Sequence, residues 1–570
     1  MLWKKDCKQV QDRGNAMYTD LLNSQGLERI YERHKVSCIQ MKCGYGPYEK
    51  NSKEALRFRQ KGNAVFGEKK WMHAIECYNK SICFAKDGSE LMGLAYANRS
   101  SCFFNLKMYR NCLIDLGHAK ENHYPAEKMA KLDERKAVCL RMMEEEIDRS
   151  EAYHAKLCYE PNENFPCFAN VLKVANNTKH GRHVIAMTNI EVGKTVMVDK
   201  PYFAETINQK FQRCNICLKT ETNLKPCKTC VYTMFCSQCE ENDLHKIECA
   251  VNQIHYSTLG FISFRMVVIR SILIALNTFS GIDELIAGVE EMLLSDVTEV
   301  PESLSEPQTK YRAFFKLCPN PKQQTDGALQ RKVYLIYKLL MESAEFAKKF
   351  NSDEHKRFLM HLIGHHIIII KDFIRNDRYK TGTQGVFGED IEVYYEHCMS
   401  IPASYFNHSC APNAYITSQN GSTVCVSVRP IRKGEELCVA YDEHVLLEEK
   451  AERQQMIQEK FKFQCKCKRC ESPLLELLSR KPSLRILSDC NYQSFIADLN
   501  AMDDVKSISR DQQESLKLNI FSLLKKYKNH NWLYEISRII YSLYTVALIE
   551  SESLERGMPY VGRVLNFDLE

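Results

Sequence analysis

Between residues 214 and 249 the chain sets out Cys214-x2-Cys217, Cys227-x2-Cys230, Cys236-x2-Cys239 and His245-x3-Cys249, eight thiolate or imidazole donors in 36 residues. Two tetrahedral zinc sites need eight ligands, and pairs on tight knuckles let each ion gather two of them. A segment this short has no core of its own and folds around its metal. A second group, Cys465-x-Cys467-x2-Cys470, supplies three donors and leaves one tetrahedral position for a residue distant in sequence. The chain has 26 Cys and begins Met1-Leu-Trp-Lys-Lys-Asp-Cys-Lys, with no apolar block of a secretory signal behind it. Its clusters therefore read as metal ligands in a reducing compartment, cytoplasmic or nuclear, and not as disulfides.

Charge narrows what these sites do. Cys214 to Cys249 holds four Lys against five Asp or Glu, which disfavours direct DNA binding by this segment and favours a structural or protein-binding role. The whole chain carries only +6 over 570 residues, too dilute for a general polyanion-binding surface. Apolar residues at 44% and charged residues at 26% suit a folded protein of about three or four domains. The greasiest stretches, Met266 to Leu276 and Leu362 to Ile370, fall short of the ~20 apolar residues a bilayer requires, so no membrane span is expected.

The elements that must position these residues follow from pattern. Ser52 to Met143 reads as helices, with Gly62, Ala74, Tyr78 and Ser81 matched by Ser100, Cys112, Leu116 and Ala119 at a constant offset of 38 residues. That recurrence resembles a tetratricopeptide (TPR) repeat. Val184 to Ala186 and Thr195 to Val198 read as strands around Ile190-Glu-Val-Gly193. Residues 253 to 375 read as helix, most clearly Asp283 to Leu294 and Gln330 to Phe350, with Ile367 to Ile370 as buried core. Strands return at Ala414 to Thr417 and Thr423 to Val428, joined across Asn420-Gly421. After Cys470 the chain reads as helical.

The first cysteine group resembles a MYND zinc finger. That resemblance implies interleaved ligands: Cys214, Cys217, Cys236 and Cys239 on one ion, and Cys227, Cys230, His245 and Cys249 on the other. The third pair, spaced by two residues, and the short step from Cys239 to His245 depart from the family pattern. The segment Asn407-His408-Ser409-Cys410-Ala411-Pro412-Asn413, followed by Gly434-Glu435-Glu436-Leu437 and Tyr441, resembles the core of a SET-domain protein lysine methyltransferase. In that family the cysteine of the first motif joins three post-SET cysteines, which implies Cys410 as the partner of Cys465, Cys467 and Cys470 on a third zinc ion. Lys179-His180-Gly181-Arg182 resembles the family's Gly-Arg element, where backbone without a Cβ lets S-adenosylmethionine approach. A cysteine finger set between two SET halves resembles the SMYD (SET-and-MYND) family, in its TPR-bearing branch.

The resemblance implies a multidomain α+β protein. An N-terminal segment (1–50) precedes TPR-like helices (51–150), the first SET part (165–212), the MYND-type finger (213–250) and a helical insert (251–375). The SET core (376–450), the post-SET zinc segment (451–471) and a C-terminal helical domain (472–570) follow. It also implies methyl transfer from S-adenosylmethionine to lysine of a histone or another protein. Tyr441 would be the catalytic residue, and Lys179, Gly181, Arg182, Asn407, His408 and Tyr441 would hold the cofactor. Two departures point the other way, toward a weakly active or inactive adaptor. Lys371 stands where the family has an Asn-containing element, and Phe461 stands where active relatives often have a tyrosine. The finger implies protein partners of repressor or deacetylase type. Arg59, Asn63, Asn98, Lys131 and Arg135 follow the order of the clamp with which chaperone-binding TPR domains hold the C-terminal tail of a heat-shock chaperone.

Overall fold

The computed structural model describes residues 49–145, 148, 150, 155–178, 181–206, 211–219, 223–240, 244–249, 262–295, 299–317, 327–384, 390–479, 483–504, 510–529 and 533–553. Lys179 and nearly all of the N-terminal 1–50 segment lie outside these. Five helices open the described chain: α1 (Ser52–Gly67), α2 (Trp71–Phe84), α3 (Glu90–Asn105), α4 (Tyr109–Glu121) and α5 (Met129–Glu145). The Asn51 side chain accepts from the N–H groups of Lys53 and Glu54, and Ser89 from that of Met92, so α1 and α3 begin where donors would otherwise be orphaned. The recurring positions Ala74, Tyr78, Ser81, Ser100, Cys112, Leu116 and Ala119 are all buried. A Cβ on Gly62 would stand 2.5 Å from the Tyr78 ring, so glycine is what lets α1 close on α2.

Strands β1 (Leu172–Asn177) and β2 (Gly181–Ala186) form an antiparallel pair, with Asn176 opposite Arg182. Then come β3 (Thr195–Asp199), β4 (Phe203–Thr206), β5 (Lys225–Pro226) and β6 (Met234–Phe235). A helical insert follows: α6 (Ile262–Thr278), α7 (Ile282–Leu294), α8 (Pro307–Phe315), α9 (Gly327–Met341), α10 (Ala344–Lys349) and α11 (Asp353–Phe373). The expected single helix from Gln330 to Phe350 is two, because Ser343 turns out of the helix and its hydroxyl caps the N–H of Phe346. Ile367, Ile369 and Ile370 are buried, as their pattern predicts.

Strands resume earlier than the sequence suggests. β7 (Arg375–Gln384) and β8 (Asp390–Met399) form a sheet with β4, in the order β4-β8-β7. The β7 sequence Arg-Asn-Asp-Arg-Tyr-Lys-Thr-Gly lacks an apolar alternation, so its pairing is a tertiary matter. Next come β9 (Asn407–His408), β10 (Ala414–Gln419), β11 (Ser422–Ser427) and β12 (Cys438–Val439). β10, β11 and β3 make one sheet, and Asn420 (φ 45°) and Gly421 (φ 74°) form its hairpin turn. β9 runs parallel to β12, setting Asn407 against Cys438 and His408 against Val439.

Helices α12 (Lys450–Phe461), α13 (Lys468–Glu471), α14 (Pro473–Leu478), α15 (Leu484–Leu487), α16 (Cys490–Asp504), α17 (Arg510–Lys526) and α18 (Tyr534–Ser553) end the described chain. Of these, α15 to α18 pack on the back of the sheet, where the Tyr415 hydroxyl donates to the Leu543 carbonyl at 3.0 Å. Among the described residues no single helix is long and apolar enough to cross a membrane.

Candidate active site and metal centres

Three groups of donors converge: Cys214, Cys217, Cys236 and Cys239; Cys227, Cys230, His245 and Cys249; and Cys410, Cys465, Cys467 and Cys470, the ligand atoms within each lying within 4.8 Å of one another. Tetrahedral zinc with Zn–S bonds near 2.3 Å places its sulfurs about 3.8 Å apart. The sulfurs of Cys217 and Cys236 lie 3.7 Å apart, those of Cys227 and Cys249 3.9 Å, and Cys410 is 3.8 Å from Cys465 and 3.6 Å from Cys470. These are edges of a tetrahedron and far too long for disulfides. His245 presents Nε2 to the Cys230 sulfur at 3.6 Å, while its Nδ1 side faces the buried Glu248, itself held by Arg270. Backbone N–H groups of Thr229 and Cys230 point at the Cys227 sulfur, and that of Cys467 at the Cys465 sulfur, which favours the thiolate. In donor set and geometry all three groups fit zinc.

The third group is joined to Tyr441 through one imidazole. His408 accepts the Tyr441 N–H on Nδ1 at 3.1 Å, and its Nε2 faces the Cys410 sulfur at 3.3 Å. Burial pushes this histidine down to about 4, so the ring is neutral, with its proton on Nε2. The Tyr441 hydroxyl donates to the Phe406 carbonyl at 3.1 Å, and burial around that hydroxyl raises its pKa even though the residue as a whole is 38% exposed. Rings of His408, Phe461 and Phe463 stand 5.2 to 6.4 Å from it. Phe461 thus walls Tyr441 without offering a hydroxyl.

Asn407 donates to Glu436 at 2.8 Å and lies 3.5 Å from the Arg182 carbonyl, so β9 meets β2 here. Glu436 is a positioning residue that the motif reading passed over, although it lies inside the quoted Gly434-Glu-Glu-Leu. Asn413 is another: it donates to the Glu436 carbonyl at 2.9 Å and accepts from the Cys438 N–H at 2.8 Å, tying the crossing chains together. Gly181 adopts φ +61°, and a Cβ built there meets nothing within 4 Å, leaving open space beside the backbone. A cofactor that approaches this backbone fits that space. Lys371 is exposed in the last turn of α11, where its charge suits the helix C-terminus.

On the N-terminal helices, Asn63 accepts from Asn98 at 2.7 Å and from the Tyr78 hydroxyl at 3.0 Å. Arg135 donates to the Ala97 carbonyl and the Ser100 hydroxyl at 2.9 and 2.8 Å, Lys131 is exposed, and Arg59 is half-buried. Asn63 and Asn98 are therefore brought together, while Arg135 is engaged by its own chain.

The SET domain family profile matches residues 181–442. Protein-lysine N-methyltransferase SMYD4 of Danio rerio is 23% identical over 511 residues, covering 75% of this chain and 66% of that protein. Its namesake in Mus musculus is 22% identical, covering 75% and 68%. Histone-lysine N-methyltransferase ASHR1 of Arabidopsis thaliana is 23% identical, covering 60% and 67%. The chain spans about two thirds of the length of these relatives. The SET-domain match contains Gly181, Asn407, Cys410 and Tyr441, and the likeness to the SMYD4 proteins extends across three quarters of the chain; the chain carries a SET domain and resembles the SMYD4 proteins.

Proposed function

We propose that the chain is an S-adenosylmethionine-dependent protein-lysine N-methyltransferase, acting on histone or other proteins in the cytoplasm or nucleus. The observation that carries this reading is the parallel pairing of Asn407-His408 with Cys438-Val439, which brings Tyr441 onto His408 and Asn407 beside β2. The cofactor, when bound, supplies an electrophilic methyl on a sulfonium. Asn407, the His408 backbone, Gly181 and Arg182 would hold it, and Lys179 would lie alongside. Tyr441 would orient a neutral lysine amine, while Phe461 and Phe463 enclose its aliphatic stem and exclude water. Two zinc ions in a MYND-type finger and one under Cys410 would hold the frame. The test is transfer of labelled methyl from S-adenosylmethionine to a panel of histones and cell-extract proteins. Tyr441→Phe is expected to cut turnover at least tenfold with cofactor affinity nearly kept; equal turnover removes Tyr441 from the site.

A second reading, an adaptor, draws on Phe461, which lacks the hydroxyl, and on the N-terminal groove. Asn63, Asn98, Lys131 and Arg59 would take the carboxylates of a chaperone tail, with Arg135 released from Ala97 to join them. Peptides with free and amidated C-termini test it, and equal binding of both rejects the clamp. A repressor- or deacetylase-type partner of the finger would have to use a face other than Leu224, Val231, Tyr232 and Met234, which are buried in one core with the N-terminal helices.

A further inference from the structure

Two arginines stand beside the Cys410 group with almost no access to solvent: the side chain of Arg453 is 0% exposed and that of Arg469 2%. Arg453, on α12, turns Nη2 to the Cys470 sulfur at 3.5 Å and to Glu476 Oε2 at 2.8 Å. Its Nη1 donates to the Glu448 carbonyl at 2.9 Å and to Glu476 Oε1 at 3.2 Å. Arg469, on α13, donates from Nη1 to the carbonyls of Cys410, Val445 and Leu446 at 3.1 to 3.2 Å, and from Nη2 to that of Glu448 at 3.2 Å. Glu476, on α14, also accepts the Lys450 N–H at 3.0 Å and lies 3.6 Å from Arg469. Among the described residues, then, two buried guanidinium groups pair with one carboxylate. A buried charge without an answering charge is strongly unfavourable, so side-chain pairing alone leaves one positive charge in excess. Four thiolates on one divalent ion carry a double negative charge, and they lie where that excess points.

We propose that Arg453 is the counter-charge of a zinc–thiolate centre at Cys410, Cys465, Cys467 and Cys470 and makes that centre slow to give up its metal, an inference that rests on zinc at this group. A charged donor on a sulfur stabilises the thiolate in place and draws on the electron pair that would attack an electrophile. Glu476 acts through Arg453: it holds both prongs of the guanidinium and so aims Nη2 at the sulfur, as outer partners of metal ligands do. The consequence reaches the candidate active site, because Cys410 lies 3.3 Å from Nε2 of His408, whose Nδ1 accepts the Tyr441 N–H. Arg453 thereby keeps the frame under Tyr441 closed against thiol-reactive compounds.

The test treats the purified full chain with N-ethylmaleimide beside a chromophoric zinc chelator, and peptide mass spectrometry follows each cysteine. In that reaction the sulfur bonds to an alkene carbon, its Zn–S bond breaks, and the neighbouring carbon takes a proton from water. Arg453→Met is expected to speed alkylation of Cys465, Cys467 and Cys470, and the zinc release that accompanies it, about tenfold to a hundredfold, with Cys214 to Cys249 unchanged. Arg453→Lys keeps the charge but cannot fork between sulfur and carboxylate, and should fall between parent and Met variant. Because Arg453→Met also strips Glu476 of its main partner, the double variant with Glu476→Leu separates stability from reactivity. Its Tm should return toward that of the parent while the three cysteines stay fast. A double variant that regains both the Tm and the slow alkylation shows Arg453 to be structural only and overturns the proposal. Variants as slow as a zinc-releasing parent overturn it too, and leave zinc at this group standing. If the Met variants do not fold, Arg453→Lys decides alone: faster alkylation confined to the three cysteines supports the counter-charge, and the parent's rate rejects it. A parent whose Cys465, Cys467 and Cys470 react without releasing zinc overturns the metal reading and the counter-charge together.

Discussion

Replacing Arg99 by Met should open the N-terminal helices and loosen the cysteine-rich segment together. Arg99 is 0% exposed and donates to both oxygens of Asp115 at 2.7 Å, to Asn79 at 2.5 Å and to the Leu224 carbonyl at 2.8 Å. Asp115 is also 0% exposed, and without Arg99 the Asn223 amide, at 2.7 Å, would be left to donate to its carboxylate among the described side chains. Burial works to lower the arginine's pKa, but the Asp115 charge and hydrogen bonds raise it above the ordinary value, so the guanidinium stays charged. Removing one partner of such a buried pair costs about 3–5 kcal/mol, because the other charge is left uncompensated. The opening equilibrium of α3 should therefore rise by a factor of about a hundred to a few thousand. Native-state amide hydrogen exchange across Glu90–Asn105 reads that quantity locally, which suits a chain of several domains better than a single melting curve. The double variant Arg99→Met with Asp115→Leu removes both charges and should recover much of the loss. Because Leu224 and Asn223 precede Cys227, a chelator should also strip metal from residues 214–249 faster in Arg99→Met, with the Cys410 group unchanged. A cost below about 1 kcal/mol, or a double variant no better than the single, would refute the reasoning.

Gly421 stands at φ +74°, and a Cβ there would meet the Cys217 carbonyl oxygen at 2.1 Å, so Gly421→Ala should destabilise by about 1–3 kcal/mol and disturb the finger as well as the hairpin. Zinc content and urea unfolding check it, and a variant matching the parent in both contradicts the contact. Burial pushes the Asp199 carboxyl up to about 6, partly opposed by Ser400 and Lys310. Its folded state therefore binds protons more tightly than the unfolded state, and stability is lost as pH rises from about 4 through 6, by about 3 kcal/mol in all. Asp199→Asn should thus be more stable than the parent at neutral pH, with its advantage growing by roughly 1 kcal/mol between pH 5 and 7.5; a difference that stays flat in paired melts counts against this. Cys410→Ala should lower the zinc content of the purified protein by one ion and weaken cofactor binding, since the same segment carries Asn407 and His408. Loss of the ion with normal binding would separate the two.

Local signals were legible in the sequence because they act over a few residues. A Cys-x2-Cys knuckle and an Asn-Gly turn each fix their geometry within a few residues, and so do Gly193 and Gly434, at φ 79° and 80°. The helical insert and its buried Ile367 to Ile370 run were legible for the same reason. Pattern alone could not show β7, whose polar run acquires its strand form from the ladder to β8, which in turn pairs with β4. Nor could it break Gln330 to Phe350 at Ser343, since helical periodicity continues across a cap. The resemblance implied Cys410 beside sulfurs 55 to 60 residues away, but only the tertiary structure decided that Arg182 meets the Lys316 carbonyl 134 residues on and Arg99 meets Leu224 125 residues on. The physical reason is that a buried charge or an open coordination position specifies the kind of partner it needs and says nothing of where along the chain that partner lies. The packing of the whole fold supplies the address.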